Sequence, residues 1–157
     1  MPAEAADGSA VRPPMSRQSG SRLTPELAEW LTAKLRYPIL ATISRDGMPR
    51  LSVMWAIIEA DGTVLMNTAR GRQKYFDVLR DPRVSICFED RYEYVTLEGT
   101  VTMRDDPDFT DIERLRDHYA DDSDFRSQGA ERVSLLLSVR RVLTHFERLR
   151  GVPDPNE

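Results

Sequence analysis

Two Asp-Gly dipeptides, Asp46-Gly47 and Asp61-Gly62, each separate short apolar runs, and no other feature limits this fold so strongly. Both central positions of a tight hairpin turn favour positive φ, which Gly adopts freely and Asp tolerates. The runs Ile39 to Ile43, Leu51 to Ile58 and Val64 to Met66 therefore read as consecutive antiparallel strands. Within the second, Val53-Met54-Trp55-Ala56-Ile57-Ile58 is apolar at both parities, so both faces of that strand are expected to be covered, in a barrel wall or a subunit interface.

Helices frame this meander. Thr24-Pro25-Glu26 carries a hydroxyl cap, proline at the first helical position and an acid in the first turn, and Leu27, Trp30, Leu31 and Leu35 repeat at helical spacing. Further helices are predicted over Gly71 to Arg80 and over Asp106 to Tyr119, with strands over Arg83 to Phe88 and Tyr92 to Met103 between them. Residues 120–131 read as a polar loop, and Val133 to Val139 with Val142 to Phe146 as a last strand or a bent pair. Strands without βαβ alternation imply an antiparallel barrel with helices packed outside it. Residues 1–22 lack large apolar side chains and read as a disordered tail; 23–150 form the domain and 151–157 a frayed C-terminus.

Several function classes drop out. Two histidines and one cysteine cannot assemble a Cys/His zinc cage. A net charge of −4 argues against nucleic acid as a partner. No apolar run nears the roughly 18 residues that span a bilayer, and no signal-like stretch opens the chain, so no membrane is expected and the location is read as cytoplasmic. Gly-x-Gly, Gly-Lys-Ser/Thr and Gly-x-Ser-x-Gly are all absent, which removes the usual nucleotide and serine-hydrolase signatures. Cys87, between Ile86 and Phe88, reads as a small buried hydrophobe.

The tract Asn67-Thr68-Ala69-Arg70-Gly71-Arg72-Gln73-Lys74 leaves a strand and opens a helix. It offers an amide, a hydroxyl, two guanidiniums, an ammonium and free helix N–H groups, a donor set that matches a phosphate. The chain holds 20 arginines and only two lysines, a bias that looks like GC-rich genome composition, so Arg70 and Arg72 also fit ordinary solvated residues.

The order of these pieces is informative. Leu40-Ala41-Thr42-Ile43-Ser44-Arg45-Asp46-Gly47-Met48-Pro49, the strand with Trp55, Asn67-Thr68 through Arg72-x-Lys74, Leu79-Arg80-Asp81-Pro82-Arg83-Val84 and Glu98-Gly99 follow one another along residues 24–147. This series resembles the pyridoxamine-phosphate-oxidase-like flavin-binding split barrels. Within them it is most similar to the actinobacterial flavin/deazaflavin oxidoreductases, which include users of coenzyme F420. The resemblance implies a six-stranded antiparallel split β-barrel that forms a homodimer, with cofactor sites between the subunits. It places the cofactor phosphate on Asn67, Thr68, Arg72 and Lys74, and the ring beside Pro49, Arg50, Leu51, Ser52 and Val53. Tyr92 and Tyr94 come from the facing subunit in this picture, although cross-strand packing fits them equally. Gln73 departs from the adjacent Arg-Lys of true pyridoxamine phosphate oxidases, and Arg148 to Pro153 matches their substrate-binding end only loosely.

The implied activity is hydride transfer from reduced F420 to a small conjugated substrate, with Arg70 meeting the anionic glutamate tail. The proton comes from Tyr92, Tyr94 or solvent. An FMN-dependent oxidase or reductase is the alternative, and a non-catalytic carrier of a flavin or tetrapyrrole is a third reading.

Overall fold

The computed structural model describes residues 23–146; the predicted tail over 1–22, the last residues of the predicted domain and the end over 151–157 lie outside the described residues. The elements are α1 (Pro25–Thr32), β1 (Ile39–Ile43), β2 (Pro49–Val53), β3 (Ile57–Ile58), β4 (Val64–Ala69), α2 (Gln73–Arg80), β5 (Arg83–Asp90), β6 (Glu93–Asp105), α3 (Thr110–His118) and β7 (Arg132–His145). Thr24 caps α1 as predicted, its Oγ1 accepting from Leu27 N at 3.3 Å. Both Asp-Gly turns form, with φ of +84° at Gly47 and +88° at Gly62. The first joins β1 to β2 and the second β3 to β4, each pair antiparallel.

All seven strands lie in one antiparallel sheet in the order β2-β1-β5-β6-β7-β4-β3. Its two edge strands, β2 and β3, are neighbours in sequence, separated by Met54, Trp55 and Ala56 alone. That link spans at most about 14 Å, whereas seven strands laid flat would put the edges about 29 Å apart. The sheet must therefore curl until its edges nearly meet. It does not close: β2 and β3 share no ladder.

The expected six strands thus become seven, and the continuous strand over 51–58 is broken in the middle. The backbone of the link bonds elsewhere, Met54 N to Pro38 O at 2.9 Å and Ala56 N to the Tyr119 hydroxyl at 3.1 Å. That hydroxyl donates in turn to Arg36 O at 2.6 Å. Burial on both faces belongs to β4 instead, where every residue is buried. Val64 and Met66 join the core formed by Leu40, Ile86, Leu97 and Leu135, while α3 covers the opposite face.

Both later helices start after their predicted positions. Gly71 turns the chain with φ +92°, so α2 opens at Gln73. Phe109 adopts a left-handed conformation, and α3 opens at Thr110. The acidic run still serves the helix, because Asp106 accepts from Asp111 N at 3.1 Å and Ile112 N at 3.0 Å. Cys87 is half-buried and not a core residue. The last strand is continuous but bulged: Glu98 pairs with Arg141 and Gly99 with Val139, leaving Arg140 as the extra residue. At Gly99 a Cβ would lie 1.9 Å from Ser138 O, so backbone of β7 occupies the space of a side chain. Among the described residues, no helix is long and apolar enough to cross a membrane.

Gly99→Ala is expected to destabilise the fold by about 1–3 kcal/mol through overpacking at the bulge, read as a lowered midpoint in thermal or urea unfolding.

Candidate functional site

The candidate site starts where β4 ends. Arg72 N bonds back to Ala69 O at 3.2 Å, and α2 begins one residue later; Tyr75 N bonds to Arg72 O at 3.0 Å, while the N–H groups of Gln73 and Lys74 precede any intrahelical acceptor. The helix is seated by Asp77, which is buried. Burial disfavours its charge, but donors from Gln73 at 3.2 Å, Thr42 at 3.0 Å and Arg80 at 3.1 Å, with the nearby Arg50, hold the carboxyl below its usual range. Gln73, the departure from the oxidase pattern, is thus an anchor for α2.

Beside this helix start lies a groove of about 380 Å³. One wall is aromatic. Trp55, in the link between the sheet edges, stacks on Tyr119 at 5.3 Å and 14°, with Phe125 edge-on at 6.0 Å. The other end is cationic, formed by Arg72, Lys74 and Arg132 together with Thr68. Among the described residues, none of these three cations has a carboxylate partner. Burial, then the charges of Arg72 and Arg132, push the Lys74 ammonium below the ordinary lysine value. Burial and Arg72 lower Arg132 likewise, against the raising influence of Asp106. Like charges held together in a half-buried place are relieved by an anion.

A larger depression, about 560 Å³, opens on the outer face of the sheet. There Arg141 faces Glu98 at 3.4 Å and Arg83 faces Asp81 at 2.7 Å, so much of its positive charge is already balanced. The groove is the better anion site.

The predicted residues divide. Thr68, Arg72, Lys74 and Val53 line the groove. Asn67 lines it too, with its amide committed: Oδ1 accepts from Arg132 Nε at 2.9 Å, and Nδ2 donates to Asp106 and Ser134, both at 3.2 Å. Arg50 sits 3.7 Å from Asp77. Pro49 lines the outer depression, Leu51 is exposed, and Ser52 Oγ approaches Met54 Sδ at 3.8 Å. Arg70 turns into a neighbouring depression, paired with Asp105 and, at 2.9 Å, with Glu131. Tyr92 is 78% exposed beside the β5–β6 turn, and Tyr94 stacks on His145 at 5.6 Å. Since Tyr94 lies opposite His145 and the groove holds Arg132, they belong to opposite ends of β7, about 40 Å apart along the strand. Neither tyrosine reaches the groove of its own chain.

Several groove residues fall outside the sequence reading of the site, Tyr37, Phe125, Gln128 and Arg132 among them. Arg132 precedes an apolar run with nothing to mark it, and enters the site because β4 pairs with β7, setting Ala69 opposite Arg132. Phe125 and Gln128 lie in the segment read as a polar loop; the lone aromatic at 125 was the available signal.

The pyridoxamine 5'-phosphate oxidase family matches residues 23–146. A solved F420 reductase superposes with a TM-score of 0.68 at 26% identity, over 76% of this chain and 98% of that one. A conserved hypothetical protein from Mycobacterium tuberculosis gives 0.67 at 23% identity, over 90% of this chain and 100% of that one. A pyridoxamine 5'-phosphate oxidase-related, FMN-binding protein from Nostoc punctiforme gives 0.56 at 19% identity, over 78% and 84%. Among curated proteins, none matches the chain.

The lowered Lys74 value has a definite sign. Anion binding that uses the ammonium declines as pH rises through a value below that of free lysine. A bound anion raises the value again, so binding takes up protons under alkaline conditions. Titration with inorganic pyrophosphate from neutral to alkaline pH is expected to show this decline in the wild type, and Lys74→Met to bind more weakly without that component.

Proposed function

The chain belongs to the pyridoxamine 5'-phosphate oxidase family, and from that premise we propose a homodimeric oxidoreductase that binds coenzyme F420 in the groove and, from its reduced form, passes a hydride to a small conjugated substrate. The observation that carries this reading is the set of three cations, none in an ion pair among the described residues, next to an aromatic wall. The donor set fits an anionic flavin-like cofactor, and the likeness to an F420 reductase favours the deazaflavin.

When bound, the cofactor supplies the hydride chemistry of its ring. The chain's own part is to bind and orient. Arg72, Lys74 and Arg132 hold the anionic portion, and Thr68 adds a hydroxyl at the same end. Trp55 is fixed by its stack on Tyr119, so the wall it presents is rigid before any ligand arrives. Val53 and Met54 give the groove an apolar margin that limits water.

What supports a dimer is the surface that one chain leaves bare. Met48, Leu51 and Val53 are 63%, 67% and 62% exposed along the β2 edge. A second copy over this face would cover them and bring the β2 residues Pro49 to Val53 into a composite site. Tyr92 and Tyr94 would then serve the groove of the other copy, where a phenol could supply the proton that accompanies hydride transfer. Arg70, neutralised by two carboxylates, is assigned no role with the glutamate tail.

FMN is the second reading, supported by the FMN-binding relative and by a cation set that suits a phosphomonoester equally. Fluorescence titrations with F420 and with FMN separate the two; tight F420 binding with weak FMN binding is expected. Oxidation of reduced F420 by quinones or enones then distinguishes an enzyme from a carrier, which binds without turnover. Lys74→Ala is expected to lose about 1.5–3 kcal/mol of cofactor binding, with folding unchanged. Sedimentation is expected to give a dimer of the 18.0 kDa chain.

A further inference from the structure

We infer that Asn67 is a positioning residue: it holds the Arg132 guanidinium at the groove's anion end and does not itself touch the ligand. The inference rests on the anion site of the preceding reading. Asn67 is only 7% exposed, and its amide has one orientation that satisfies its neighbours. Arginine can only donate and an ionised carboxylate can only accept, so Oδ1 must face Arg132 and Nδ2 must face Asp106. Ser134 agrees with this direction, since its hydroxyl donates to Asp111 at 2.6 Å and is left to accept from Asn67. Asp106 in turn is fixed by the N–H groups that open α3. Arg104 closes the other end of the chain on Asp111 at 2.7 Å.

Both amide hydrogens of Asn67 are therefore engaged away from the groove. Arg132 has the opposite balance. Only its Nε–H is bonded, to Asn67, and its four remaining N–H groups have no protein partner among the described residues. Its guanidinium lies 5.0 Å from the Phe125 ring centroid, which braces it from the loop side. Two of the forked N–H groups are thus available for an anion beside Arg72 and Lys74.

The choice of a neutral acceptor matters. A carboxylate at position 67 would hold Arg132 equally well but would cancel its charge. An amide fixes the Nε edge without placing a carboxylate in direct contact with the guanidinium. The buried carboxylates that organise the chain, Asp106 and Asp111, are kept one residue further back.

The test uses the full chain, with inorganic pyrophosphate by calorimetry and F420 by fluorescence, on Asn67→Ser, Arg132→Ala, Arg132→Lys and the Asn67→Ser/Arg132→Ala pair. Arg132→Ala is expected to weaken both ligands about tenfold or more. Asn67→Ser should weaken them similarly in the wild type, but by no more than about twofold once Arg132 is gone, because the amide acts only through the guanidinium. Arg132→Lys keeps a charge but has no Nε–H for Asn67, so it should bind as weakly as Asn67→Ser. Equal losses from Asn67→Ser with and without Arg132 overturn the inference. So does wild-type affinity in Arg132→Lys, a result that stands even if the Asn67 variants fail to fold. Pyrophosphate binding that is absent, or indifferent to Arg132→Ala, overturns it as well. Pyrophosphate behaving as expected while neither F420 nor FMN binds supports the Asn67–Arg132 device and removes the proposed function instead.

Discussion

Three residues joining the two edges of one sheet set the shape of this molecule. Met54, Trp55 and Ala56 are too few to bridge a flat seven-stranded sheet, so the sheet curls around its core. The link is held by the Tyr119 hydroxyl, which accepts from Ala56 N and donates to Arg36 O. That bridge satisfies backbone groups that would otherwise be buried without partners. It also decides where the groove lies, because Trp55 is in the link and Tyr119 is the surface on which it stacks. The gap between β2 and β3 and the aromatic wall are two results of one constraint.

Charge pairing separates the site from the arginine-rich background. Arg70, Arg83, Arg104, Arg114 and Arg126 each sit against an acidic side chain. Arg72, Lys74 and Arg132 do not. Exposed ion pairs add little stability, but their placement shows where the fold has balanced its charge and where it has left a local excess. A local excess within a net charge of −4 is a property of that groove and not of the protein's overall composition.

Much of this was legible in the sequence because it depends on neighbours along the chain. The hairpins at Asp46-Gly47 and Asp61-Gly62 and the cap at Thr24 are local devices, as is the donor-rich tract around Arg72 and Lys74. The break at Met54 was not legible, since apolar parity cannot show that Pro38 and Tyr119 will take the backbone bonds. Arg132 was hidden for the same reason: it reaches the tract only through the β4–β7 ladder. The pairing of Arg70 was equally hidden, since its partners, Asp105 and Glu131, lie far along the chain. The commitment of Asn67 to Asp106, Ser134 and Arg132 was not legible either, because it is entirely tertiary.

The β4–β7 ladder has a consequence for how the protein comes into being. It joins Ala69 to Arg132, more than sixty residues later, and β7 is the last element of the described chain. Contacts of such long sequence separation require closing a large loop before any stabilisation is gained, which makes them slow to form. During synthesis the tract at Asn67 to Lys74 leaves the ribosome well before Arg132, and Asn67 lacks two of its three partners, Ser134 and Arg132, until β7 arrives. The cationic end of the groove is therefore a late property of the nascent chain, acquired with β7 and not with the tract that precedes it.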